Sequence, residues 1–286
     1  MITKREMMDF AREFGLEPNI VEKDYVLGWV LAGIANHAEL MNQWIFKGGT
    51  CLKKCYFGRY RFSEDLDYTL MDEAQLNVEF LTGSFTQIVT WIYDVTGIEI
   101  PVNAIRFEIY KNNFGEVSVE GRLYYVGPLQ RRSNQARIKL DLTADELLVA
   151  TPILRAVQHP YSDQPRNGIQ ANCYNFAEMF AEKLRALSER ARPRDLYDVI
   201  HLYRHAVSLN IKPTIIFEIL QKKCEYKAIP VPTMQYLESH HKLQELKSEW
   251  ASMLTHQLPA LPPIEQFWQE LPELVMWLHS EISIVE

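Results

Sequence analysis

The stretch Phe46-Lys47-Gly48-Gly49-Thr50, followed by Arg61-Phe62-Ser63-Glu64-Asp65-Leu66-Asp67, joins a glycine turn to two carboxylates that alternate along an apolar run. A strand places residues i and i+2 on one face, about 6.7 Å apart. Asp65 and Asp67 therefore converge on one side while Leu66, Tyr68 and Leu70 pack on the other. Two hard oxygen ligands beside a phosphate-sized turn point to a nucleotide-and-metal site. Upstream, Trp44-Ile45-Phe46 reads as a strand. Residues 50–56 read as a helix with Thr50 as its candidate cap, so the unit is strand, glycine turn, helix.

Working outward, residues 3 to about 39 carry a helical pattern with Ile20, Leu27, Leu31 and Ile34 in one stripe, bordered by Lys23 and Asp24. Residues 105–110, 117–126 and 137–142 have strand character and are separated by Asn-Asn-Phe-Gly and Gly-Pro turn signals. The last alternates cleanly, with Arg137, Lys139 and Asp141 on one face and Ile138, Leu140 and Leu142 on the other. If this strand neighbours the first acid-bearing one, Asp141 joins Asp65 and Asp67. Residues 152–168 are rich in turn formers, and beyond them the pattern is helical to the end. A boundary is placed there, giving a core over residues 1–168 and a helical domain over residues 169–286.

Within residues 176–190, at 100° per residue from Phe176, the apolar Leu187, Phe180 and Leu184 fall between about 20° and 80°. Glu178, Arg185, Glu189 and Glu182 fall near 180° to 240°, but Lys183 falls near −20°, on the apolar side. A lysine aimed inward requires a carboxylate or phosphate partner unless it snorkels along the helix edge. Pro193 starts a further helix, and Asp195 lies in its first turn, where the macrodipole favours a negative charge. Arg190, Arg194 and Asp198 lie close by in sequence.

The chain has 286 residues, 47% hydrophobic content and a net charge of −7, which suit a folded protein with a substantial core. That charge argues against wholesale wrapping by nucleic acid while leaving room for a local basic groove. Lys53, Lys54, Arg59 and Arg61, with Arg131 and Arg132, are the basic residues that suit phosphate contact or a solvated surface. The longest uncharged apolar run, residues 25–35, is too short for a membrane span, and neither a span nor a signal peptide is expected. Cys51, Cys55, Cys173 and Cys224 form no C-x-x-C pair and read as small core residues in a reducing, cytoplasmic setting. His201 and His205 lack the glutamate of a zinc-protease motif, and no nucleophile elbow is present.

Taken together, Glu22-Lys23-Asp24, the two blocks quoted first, Ala181-Glu182-Lys183-Leu184-Arg185-Ala186-Leu187, Arg190 and Arg194-Asp195-Leu196-Tyr197-Asp198 resemble the AbiEii/MenT family of nucleotidyltransferase-like toxins. The resemblance implies an α+β fold of the DNA-polymerase-β nucleotidyltransferase type, with a mixed sheet flanked by helices and a helical C-terminal region. It implies that Gly48, Gly49 and Thr50, with Arg61 and Ser63, bind nucleotide. It makes Asp65 and Asp67 the metal-binding pair and Lys183 and Asp195 further active-site residues, while the strand alternation, not the resemblance, adds Asp141 as a third candidate ligand. It also implies Mg²⁺ or Mn²⁺, an NTP substrate, an RNA acceptor with the tRNA 3′ end as target, blocked translation and a separately encoded antitoxin. A protein or small-molecule acceptor, and a nucleotide-binding effector that transfers nothing, are the competing readings.

Overall fold

The computed structural model describes residues 1–111 and 115–280, so the expected turn at Asn112-Asn113-Phe114 lies outside the described residues. The chain divides into two compact units. The first comprises residues 1–146, 152–173 and 257–259; the second comprises residues 147–151, 174–256 and 260 onward. The boundary expected after Gly168 therefore falls just before a strand that belongs to the first unit.

The first unit is built on a mixed seven-stranded sheet in the order β3-β4-β5-β2-β1-β7-β6. The strands are β1 (Trp44–Lys47), β2 (Asp65–Leu70), β3 (Arg106–Lys111), β4 (Val117–Tyr125), β5 (Ala136–Thr143), β6 (Ile153–Ala156) and β7 (Gln170–Cys173). β2 runs antiparallel to β1 and parallel to β5, and β1 runs parallel to β7. Strict alternation places Leu66, Tyr68, Ile138, Leu140, Leu142, Val119 and Leu123 in the core and leaves the opposite face polar. Each fully buried leucine of this set contributes about 2 kcal/mol. β6 and β7 arise in and just beyond the turn-rich stretch, where strands of four residues are too short to show a period.

The N-terminal helical pattern is two helices, α1 (Lys4–Phe14) and α2 (Pro18–Asn36), because Gly15 adopts φ +64° and closes the first while Pro18 opens the second. α2 is buried on every side rather than along one stripe, with Val21, Tyr25, Trp29 and Val30 as enclosed as Leu27 and Leu31. After β1 come α3 (Gly48–Cys51) and one π-helical segment, Leu52–Tyr56. α4 (Val78–Thr96) packs on α2 and β3, and the rings of Trp44, Phe85 and Phe107 meet at 6.0 and 5.3 Å.

The second unit is helical: α5 (Phe176–Arg190), α6 (Pro193–Ser208), α7 (Pro213–Tyr226), α8 (Met234–Glu238), α9 (Leu243–Leu254), α10 (Ile264–Trp268) and α11 (Leu271–His279). α5 packs on both α6 and α7, which encloses the side expected to be polar as well as the apolar side. Glu178 and Arg185 are buried because each meets opposite charge. Lys223 of α7 lies 2.7 Å from Glu178 and 3.2 Å from Glu182, and Arg185 bonds Glu182 and Glu189. Among the described residues, no helix is long and apolar enough to cross a membrane.

Candidate active site

The sheet register assembles the carboxylates. Lys47 at the end of β1 is paired with Asp67, and Asp67 with Asp141 across the parallel β2–β5 ladder, while Asp65 is paired with Lys139. Paired residues on adjacent strands share a face at about 4.8 Å spacing, so Asp65, Asp67 and Asp141 stand together on the open, polar side. All three are half-buried, whereas Leu66, Tyr68, Leu140 and Leu142 beside them are enclosed. Carboxylate oxygens are hard donors of the kind a divalent ion such as Mg²⁺ takes, although the oxygens of these three residues do not all lie within 4.8 Å of one another. Lys139 Nζ balances this charge, 2.9 Å from Asp141 Oδ1 and 3.0 Å from Glu120 Oε2. Opposing contacts with Asp141 and Glu120 raise the Lys139 pKa even though burial acts to lower it.

The glycine turn lies against these acids. Gly48 has φ +79°, and a Cβ built there would stand 2.0 Å from Asp67 Oδ2. A Cβ on Gly49 would stand 2.6 Å from Arg61 Nη2 and 2.9 Å from Ser63 Oγ. The two glycines are thus required by the approach of the chain's own Asp67, Arg61 and Ser63. Thr50 is not the helix cap: α3 begins at Gly48, and the buried Thr50 hydroxyl donates to the backbone oxygen of Asp65, tying the turn to the first acid. Arg61 is 2% exposed, with Nη1 donating to Gln257 Oε1 at 2.8 Å.

Of the basic group expected to meet phosphate or solvent, Lys53, Lys54 and Arg61 are interior and Arg59 is exposed. Lys54 is fully buried, donating to Asp24 Oδ2 at 2.7 Å and to the Asp24 carbonyl at 3.0 Å. Burial acts to raise the Asp24 pKa, but Lys54, Lys53 and the Tyr161 hydroxyl at 2.9 Å outweigh it and hold it below the usual carboxylate range. Lys53 lies over the Phe62 ring at 4.7 Å. Lys23 pairs with Glu64 at 2.8 Å, and Glu22 takes the Leu129 N–H and Arg131, so each charge of the Glu22-Lys23-Asp24 block is internally matched. Arg132 pairs at the surface with Glu99. Sequence reasoning grouped Lys54 with its neighbours for phosphate contact or a solvated surface; its place between Cys51-Leu52 and Cys55 in an apolar helical run was the available signal of burial.

Next to Glu64 the first unit has a cavity of about 430 Å³ lined by Lys23, Glu64, Tyr124, Arg131, Asn134, Gln135 and Arg137. Arg137 lies on the same face of β5 as Lys139 and Asp141, one pleat further along, and is exposed.

In the second unit, Lys183 meets the anion it needs within the chain, 2.8 Å from Asp198 Oδ2 and 3.7 Å from Asp195 Oδ1. Arg190 holds both oxygens of Asp195 at 2.7 and 2.8 Å. Lys183, Asp195 and Asp198 are buried, so two cations and two carboxylates form a closed ion cluster joining α5 to the first turns of α6. His201 lies against the rings of Tyr197 and Phe267.

Comparison with solved structures shows the same fold in MenT4, a nucleotidyltransferase toxin of Mycobacterium tuberculosis. Identity is 17% and the TM-score 0.65, over 97% of this chain and 90% of that one. JHP933 of Helicobacter pylori is also similar, at 16% identity and a TM-score of 0.59, over 94% of this chain and 95% of that one. No curated protein matches the sequence. The family described as nucleotidyl transferase AbiEii toxin, type IV TA system, matches residues 29–273, and with that span on a mixed sheet carrying the acids and the glycine turn, the chain belongs to this family of nucleotidyltransferase toxins.

Proposed function

We propose that this nucleotidyltransferase moves a nucleoside monophosphate from an NTP onto RNA, with the tRNA 3′ end as acceptor, and so blocks translation. Family membership implies an NTP donor and an antitoxin partner. The observation that carries the reading is the register that sets Asp67 beside Asp141 and against the Gly48 turn. In the reaction an acceptor hydroxyl oxygen bonds to the α-phosphorus and the bond to pyrophosphate breaks. The hydroxyl proton passes to solvent or a nearby carboxylate, and pyrophosphate leaves with its electron pair.

Asp65, Asp67 and Asp141 would hold Mg²⁺ or Mn²⁺, which when bound supplies charge neutralisation to the phosphate oxygens. Gly48 and Gly49 keep the turn close to Asp67, and Thr50 fixes the start of β2, so the acids are oriented before substrate arrives. Arg61 and Ser63 support the turn from beneath Gly49 and are proposed to bind nucleotide with it. Lys139 is placed to shift its charge between Asp141 and an incoming phosphate. In the cavity Lys23 and Arg131 are matched by Glu64 and Glu22, so the exposed Arg137 is the cation we propose to meet an RNA phosphate. Lys183 and Asp195 are proposed as further active-site groups on the strength of the family resemblance and their burial in an ion cluster.

The test is incubation of purified protein with total tRNA, Mg²⁺ and each α-labelled NTP in turn, beside Asp65→Asn and Asp67→Asn. Label entering RNA with wild type alone is the expected result. Nucleotide binding without labelled RNA would shift the acceptor to a protein or small molecule, or make the chain a non-transferring effector. Lys183→Ala is expected to stay folded and lose incorporation; a collapse of Tm would make Lys183 a purely structural ion-pair member.

A further inference from the structure

Three of the four cysteines converge. Cys51 closes α3, Cys55 lies one turn on, and Cys173 ends β7, more than a hundred residues away in sequence. All three are free and buried, and their sulfurs lie within 4.8 Å of one another. From the sequence they read as separate small core residues, because spacing alone did not bring Cys173 to the other two.

We propose that Cys51, Cys55 and Cys173 form a structural site for a thiophilic divalent ion, Zn²⁺, distinct in chemistry from the carboxylate site. Sulfur donors select a borderline-soft ion and are poor ligands for Mg²⁺. Zn–S bonds of about 2.3 Å in a tetrahedral arrangement require sulfurs about 3.8 Å apart, so contraction of about 1 Å at most from the observed spread closes the site. The three cysteines supply three of the four tetrahedral positions, and the fourth is proposed to take a water.

Charge is matched as well. Three thiolates around Zn²⁺ leave one net negative charge, and Arg155 is the neighbouring cation: its Nε donates to the Cys55 carbonyl at 2.7 Å and its guanidinium lies 4.2 Å from the Tyr56 ring. Because Cys51 ends the helix that begins at Gly48, the ion would pin the glycine turn to β7 from below.

The test is to produce the full chain in zinc-supplemented medium, purify it under reducing conditions and measure zinc per chain by atomic emission, with Co²⁺-grown protein in parallel. The expected result is about one ion per chain and a near-ultraviolet thiolate-to-Co²⁺ charge-transfer band of three-sulfur intensity. Cys51→Ser and Cys173→Ser should lose both, and Cys224→Ser should keep both. Wild type holding less than about a tenth of an ion, or Cys173→Ser holding as much as wild type, overturns the proposal. Should the serine variants fail to fold, wild type decides alone: chelator stripping must remove the ion and lower Tm, and an unchanged Tm overturns it equally.

Discussion

Replacing Gly48 with alanine separates the cost of folding from the cost to chemistry. At φ +79° an L-residue bears about 1–2 kcal/mol of steric strain. For a chain of this size that predicts a fall in Tm of about 2–8 °C. The new Cβ would stand 2.0 Å from Asp67 Oδ2, so the carboxylate must retreat by about 1.4 Å to reach an ordinary 3.4 Å contact. Asp67 Cγ and Cβ would stand at 2.7 and 2.9 Å, and because Cβ cannot move by side-chain rotation, the β2 backbone must give slightly as the carboxylate swings away. Displacement of a reacting group by about 1 Å, however, costs on the order of 100-fold in rate. Gly48→Ala is therefore expected to remain folded and to incorporate labelled nucleotide about 100-fold more slowly. Gly83→Ala is the control: Gly83 lies inside α4 with open space where a Cβ would go, and alanine there should raise stability by about 0.5–1 kcal/mol with unchanged turnover. Paired thermal melts and incorporation assays read both quantities. Gly48→Ala turning over within about threefold of wild type would refute the reasoning, since Asp67 would then act from a displaced position.

Arg137→Ala should weaken RNA binding and lower the salt slope by about one unit while nucleotide binding is unchanged; an unaltered slope in a filter-binding titration would remove Arg137 from the acceptor path. His159 is buried between Tyr25, Trp29 and Tyr161, and both ring nitrogens lack partners among the described residues. Burial, with Lys54 adding to it, pushes its pKa from 6.5 down to about 3. Above pH 6.5 both folded and unfolded states are neutral; below it only the unfolded state takes the proton, so stability falls by about 1.4 kcal/mol per pH unit until about pH 3. His159→Phe should flatten that acid limb in urea titrations between pH 7 and pH 4, and an unchanged slope would assign the acid loss to other groups. Lys54→Met, which leaves Asp24 buried without its cation, should cost about 3–5 kcal/mol by chemical denaturation, and the double variant with Asp24→Asn should recover more than half. A loss below about 1 kcal/mol would show that water reaches the pair.

The polar and apolar alternation of β2 and β5 was legible in the sequence because a half-buried strand writes its two faces at period two. Asp65, Asp67 and Asp141 could be named from that alternation, and the structure places β5 beside β2 as the joint reading required. Lys183 was legible for the same reason at helical period. The far side of α5 is polar as read but enclosed, because Glu178 is met by Lys223 of α7 and Arg185 by Glu182 and Glu189 of its own helix, and no pattern within one helix reports the packing of another over it. Lys54 and Arg61 were grouped by charge as suited to phosphate contact or a solvated surface, with Arg61 also a nucleotide-binding candidate, and their enclosure by an ion pair and an amide contact was not legible. The glycine pair was identified by type, but its reason, the approach of Asp67 and Arg61, depends on tertiary packing.

Gln257 belongs to the first unit although more than eighty residues of helical chain separate it from β7. Its carboxamide receives Arg61 and its carbonyl receives the Phe62 N–H at 2.9 Å, directly ahead of the acid-bearing strand. The sheet is thus sewn shut by a stitch from the far end of the gene. A recombination that exchanged the helical half for another would remove the residue that seats Arg61, so a chimaera that swaps residues 174–286 is expected to leave the Arg61 guanidinium buried without its amide acceptor.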